Sequence, residues 1–105
     1  DEMAEFAIEY LLSGRGSARR LVGVLADRWP ARPALEFILV LSLAANGIED
    51  MLGGDEAERI ALDAWRMAAL LGVDLFDAQA LGLPHDSGAD LLTYWRGHDP
   101  FFLQG

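Results

Sequence analysis

The residues best suited to chemistry lie together near the start of the chain, in the run Gly14-Arg15-Gly16-Ser17-x-Arg19-Arg20. Glycines let a backbone approach a ligand closely. A helix beginning after Ser17 exposes free N–H groups at its first turn. Arginines beside that turn add positive charge. Gly14, Arg15, Gly16, Ser17, Arg19 and Arg20 are therefore a candidate binding site for a phosphate or carboxylate. Residues 13–32 carry five arginines and one aspartate, a net of +4, against three arginines and sixteen acids elsewhere, a net of −13. The run is not a phosphate fingerprint, since it lacks both G-x-G-x-x-G after a strand and G-K-[ST]. Its ordinary reading is a helix cap with solvated arginines paired to acidic neighbours.

Four other groups invite a chemical reading. His85-Asp86 and His98-Asp99, with Glu49 and Asp50, contain the donors of a His/carboxylate metal site. They lack H-E-x-x-H or E-x-x-H spacing, so no metal and no cofactor is expected. Ser42 and Asn46 lie one turn apart on an otherwise apolar stretch. They either line a small polar pocket or bond the carbonyls of their own helix. A mid-helix Ser42 is poorly presented as a nucleophile. Trp29, Trp65, Trp95 and Phe101-Phe102 have the composition of a ligand cage. At helical spacing and in a tail they read more simply as core or interface anchors. Arg19, Arg20 and Arg28 follow a short glycine turn between two helical segments, as in a helix-turn-helix. The acidic first segment and acidic chain argue against DNA, because phosphate contacts dominate that affinity.

Composition bounds the rest. The 105 residues fit one domain, 1–105, with 52% hydrophobic and 24% charged residues and a net charge of −9. Mean hydropathy is +0.18 and the pI is near 4.4. This is too apolar for a disordered chain. With no cysteine there is no disulfide framework, thiolate zinc site or cysteine nucleophile. All eight basic residues are arginine, which excludes lysine Schiff bases and a Walker A lysine. Sixteen alanines and one asparagine complete the pattern of a GC-rich bacterial coding bias. The acidic opening Asp1-Glu2-Met3 is unlike the basic start of a signal peptide. The longest apolar run, Ala34 to Ile48, falls short of the roughly 20 residues of a membrane span. The cytoplasm is the expected location.

Helix is favoured almost everywhere. Alanine and leucine supply 34 residues, and no stretch alternates for a strand's length. Glycine and proline divide the chain into segments 2–12, 18–29, 33–52 and one opening at Asp55. Asp55-x-x-Glu58 matches a capping box. Gly72 is placed to close that fourth helix, with Asp74-x-x-Asp77 opening a short one to Leu81. The alternative is a single kinked helix from Glu56 to Leu81. Ser87-x-x-Asp90 opens a last short helix to Arg96, capped by Gly97, and Phe101-Phe102-Leu103 packs back on the bundle. The expected fold is all-α, a small orthogonal or irregular bundle of four main helices plus one or two short ones. Its expected helix content is roughly 60–70%, about twice the average.

Helices three and four are apolar around most of their circumference and need cover on several sides. The candidate uncovered face lies around Leu39, Leu43, Trp65 and Met67, with the phenylalanine tail as the rival that would cover it. The first functional reading is a non-enzymatic module that self-associates as a homodimer or docks on a protein partner. The second is a small-ligand or anion-binding domain using Gly14 to Arg20. The third is an enzyme without a recognisable motif.

Overall fold

Caps and breakers determine where the helices begin and end. In the computed structural model, which describes residues 1–104, α1 spans Glu2–Leu12, α2 Ala18–Arg28, α3 Ala34–Met51, α4 Asp55–Ala80 and α5 Gly88–Gly97. A 3₁₀ turn, η1, covers Pro100–Leu103. The protein is an all-α bundle, about three-quarters helical, with no strand among the described residues. None of its described helices is long and apolar enough to cross a membrane. Asp1 caps α1 by accepting a hydrogen bond from the Met3 amide at 3.1 Å. Ser17 caps α2 through the Arg20 amide, also at 3.1 Å. Ser87 and Asp90 form the reciprocal capping box expected for α5. Gly97 is the last residue of α5, and the cap falls on His98.

The fourth segment departs from the expectation of a stop at Gly72. α4 runs unbroken for 26 residues, through Gly72 and past Asp74 and Asp77. Gly72 has an ordinary helical backbone, since only Gly14, Gly54 and Gly82 have positive φ among the described residues. The reason is burial. Ala57, Ala61, Ala64, Ala68, Leu71, Asp74, Leu75 and Ala78 make one continuous inward stripe. Its packing outweighs the cost of about 1 kcal/mol for a helical glycine. Asp55 also differs from expectation. It is the first helical residue, not the cap, because Gly54 at φ 103° turns the chain one residue earlier. The Asp55–Glu58 box does not form; the two carboxylates act through the positive end of the helix dipole.

α3 and α4 form an antiparallel hairpin across Leu52-Gly53-Gly54. Trp65 reaches Glu49, and further along a Cβ on Gly72 would touch Ile38, so residue numbers rise on one helix as they fall on the other. The alanines of the α4 stripe let the two helices approach closely over their whole length. α1 covers one side of α3, while α2 packs against α4 and α5. The α2–α3 link is tied to the start of α5 by an antiparallel bridge between Pro33 and Ser87. Flanking it, Ala34 N–H donates to Asp86 O at 2.8 Å and Ala89 N–H to Pro30 O at 2.9 Å.

The phenylalanine tail folds back, as expected, but not over the outer side of α3 and α4; it meets α4 only along the flank of Leu70, Val73 and Asp77. η1 lies between α2 and α5. Phe102 is buried, its ring 5.2 Å from that of Trp95. Gly23 makes this approach possible: a Cβ there would stand 2.7 Å from the Phe102 carbonyl oxygen.

Candidate functional site

The outer side of the α3–α4 hairpin keeps several large apolar side chains uncovered. On α3, Leu35, Leu39 and Leu43 recur every fourth residue and all remain exposed. On α4, Leu62, Trp65, Val73 and Phe76 follow the same helical line, with Ala69 exposed between them. The antiparallel pairing sets the two rows side by side. Leu35 and Phe76 line a common cavity at one end, Ile38 lies by Gly72 in the middle, and Trp65 donates to Glu49 at 2.6 Å toward the turn. Met67 is not part of this face. It is half-buried and packs against the core, because it lies on the flank of α4. The other expected members, Leu39, Leu43 and Trp65, do share the face.

Beyond the Leu35–Phe76 end lies a cavity of about 460 Å³, bounded also by Leu75, Gln79, His85 and Asp86. His85 Nδ1 is 2.9 Å from the Leu83 carbonyl oxygen, which fixes Nδ1 as the protonated nitrogen. Histidine, glutamine and aspartate thus give polar groups to a recess whose remaining lining is apolar, at the rim of the hairpin face.

The residues of the Gly14–Arg20 run do not converge. Arg15 pairs with Glu9 of α1 at 3.3 Å. Gly16 accommodates the Tyr10 hydroxyl, which a side chain there would strike. The Ser17 hydroxyl is occupied by the α2 cap. Arg19 turns to the tail: its Nε donates to the Phe101 carbonyl at 2.7 Å, a second guanidinium nitrogen donates to Gln104 at 3.2 Å, and the guanidinium lies 4.0 Å from the Phe101 ring centroid. Gly14 supplies the positive-φ turn. Arg20 alone of the four charged or hydroxyl-bearing residues points to other surroundings, in a cleft between α2 and α5.

Other candidates are satisfied locally. The Ser42 hydroxyl donates to Ile38 O at 2.9 Å, within its own helix. Asn46 reaches Asp50 at 3.5 Å. His98 stacks on Tyr94 with ring centroids 5.4 Å apart. Among the described residues no three His, Asp or Glu side chains are grouped to hold a metal ion. The aromatic residues do not form a cage: Trp29 meets Phe6 edge-on at 5.3 Å, Trp65 lies on the hairpin face, and Trp95 is in the core.

Asp74 is the residue that sequence reasoning missed as a core group. It is the one buried charged residue among those described. Its Oδ2 accepts from Trp95 Nε1 at 3.0 Å. Burial pushes its carboxyl from the usual 3.8 up to about 6; the Trp95 hydrogen bond works in the opposite direction, and the Asp99 and Asp77 carboxylates add to the rise. Burial, followed by nearby carboxylates, also raises the Tyr94 phenol. The signal was present in the sequence. Asp74 sits at a core position of the Leu71–Leu75–Ala78 stripe, and a buried tryptophan needs an acceptor for its N–H.

Comparison with protein-family models, with curated proteins and with solved structures finds no match to this chain.

Proposed function

We propose that the protein is a non-enzymatic interaction module that self-associates as a homodimer through the outer face of the α3–α4 hairpin. One observation carries the reading: seven large apolar side chains of α3 and α4 stay exposed, and the tail, seated between α2 and α5, reaches only the Val73 edge of them. Leu35 is 72% exposed and Phe76 70%, against 39% for Trp65. At about 2 kcal/mol for a fully buried side chain, covering what remains exposed on the seven gives on the order of 15 kcal/mol for two copies. Association itself costs about 4–15 kcal/mol. The difference spans about 0–11 kcal/mol, and a micromolar dimer requires about 8 of it.

Charge bears on the arrangement only by keeping the two turn ends apart. The turn end of the hairpin carries Glu49, Asp50, Asp55, Glu56 and Glu58, with Arg59 as the one base nearby. Superposing two such ends repels. An antiparallel arrangement avoids that contact but gains no free cation, since Arg32 at the opposite end is already paired with Glu36 and Asp86 adjoins His85. Two-fold symmetry also limits growth to a dimer.

Light scattering coupled to gel filtration tests the proposal. The expected result is a mass near twice 11.5 kDa at micromolar concentration, falling toward 11.5 kDa on dilution. Leu39→Glu with Phe76→Glu gives a folded monomer, since both side chains are exposed in the single chain. A monomeric parent across a hundredfold dilution series, at about micromolar strength and above, refutes self-association.

A further inference from the structure

The arginines can be accounted for one by one. Arg15, Arg32, Arg59 and Arg66 each have a carboxylate within 4.0 Å. Arg19 holds the tail. Arg28 lies over the Phe6 and Trp29 rings. Only Arg20 and Arg96 remain, and among the described residues neither has an acidic or aromatic partner. In a chain with seventeen acids this needs an explanation. The two belong to different helices, 76 positions apart by subtraction of their numbers, yet both line one cleft between α2 and α5. The cleft is an open groove of about 290 Å³. Its accessible apolar lining comes from Val24 and Leu103, with Leu92 and Phe102 buried beneath, and Asp27 lines it as well.

We propose that this cleft binds a small organic oxyanion, its head held by the Arg20 and Arg96 guanidinium groups and its short hydrocarbon body laid on Val24 and Leu103. Guanidinium groups bind carboxylate and phosphate oxygens through paired, charge-assisted hydrogen bonds. Two of them opposed by one aspartate leave a net of one positive charge on the rim. The volume lies at the lower end for ligand pockets, which limits the guest to a few carbon atoms beyond its head group. Asp27 selects further: it disfavours a head group with a second anionic arm and accepts from a ligand hydroxyl or amine. The cleft shares no residue with the hairpin face, so this site stands or falls independently of dimerisation.

Titration of ¹⁵N-labelled protein with hexanoate, hexyl phosphate, 1-hexanol and inorganic phosphate is the test. Hexanoate or hexyl phosphate should give saturable shifts at the Gly23, Leu92 and Leu103 amides, and their ratio tells carboxylate from phosphate. Hexanol lacks the head group and phosphate lacks the body, so each should bind about tenfold more weakly or less. Arg20→Gln and Arg96→Gln should each weaken the better ligand about tenfold. Both residues are exposed, so the variants keep their fold, and Arg28→Gln, outside the cleft, should leave binding unchanged. The proposal is overturned if neither anion saturates, if hexanol binds as well as hexanoate, or if either cleft variant binds as the parent does.

Discussion

Replacing Asp74 by asparagine should stabilise the protein at neutral pH. Above pH 6 the fold holds a buried carboxylate with one good donor, Trp95, and two like charges nearby, Asp77 and Asp99. Its folded pKa, about 6, lies above the ordinary 3.8. The native state therefore binds more protons than the unfolded chain between these values. Stability from this group is fully present below about pH 4 and is lost as pH rises through 6. The rise is worth at most about 3 kcal/mol, and water in the small open cavity that Asp74 lines with Asp77, Asp99 and Phe101 screens part of it. About 1–2 kcal/mol is the expected remainder. The carboxamide oxygen introduced by Asp74→Asn can still accept from Trp95, and its NH₂ group can donate to the Asp77 or Asp99 carboxylates. Thermal unfolding at one fixed protein concentration should show the variant about 5–10 °C above the parent at pH 7. At pH 4 the two should converge. A variant less stable than the parent at pH 7, or a difference independent of pH from 4 to 7, refutes the assignment of a strained charge at this position.

Two glycines separate local from tertiary constraint. Gly72→Ala should raise stability by about 0.5–1 kcal/mol in chemical denaturation, because its backbone is helical and the nearest atom to a new Cβ, Ile38 Cδ1, stands 3.9 Å away. Gly88→Ala should lose about 1–3 kcal/mol in the same assay, since its Cβ would lie 2.9 Å from both the Phe37 ring and the Trp29 carbonyl.

The helices were legible in the sequence because each is bounded by local chemistry. Ser17 and Ser87 announce their caps, Pro33 and Gly54 their breaks, and the apolar spacing of Met3, Ala7, Tyr10 and Leu11 its own inward side. α4 was harder to read. Gly72 and Asp74 carry local signals for a helix end, and the stripe that overrides them acts only once α3 is packed alongside. The hairpin face was anticipated through Leu39, Leu43 and Trp65, since an all-round apolar helix needs more cover than short neighbours provide. Which surface the tail would take was not legible. That depends on the space left above Gly23, a tertiary property. The same holds for the arginines. Arg15, Arg19 and Arg20 are neighbours in the chain, yet Arg15 turns to Glu9, Arg19 to the tail, and Arg20 shares a cleft with Arg96 only through the docking of α5.

The clasp between Arg19 and Phe101 joins positions 82 residues apart. Local pairs such as the α3–α4 hairpin close a loop of three residues and can form early, at little entropic cost. The clasp closes a much longer loop, across α3, α4 and α5, at a greater entropic cost. η1 is therefore expected to seat late in folding and to leave early in unfolding. Its release would uncover Phe102 and the Trp95 ring packed on it. Amide protons of α5 and η1 should therefore exchange through a partial opening of lower free energy than global unfolding, and those of α3 only through the latter.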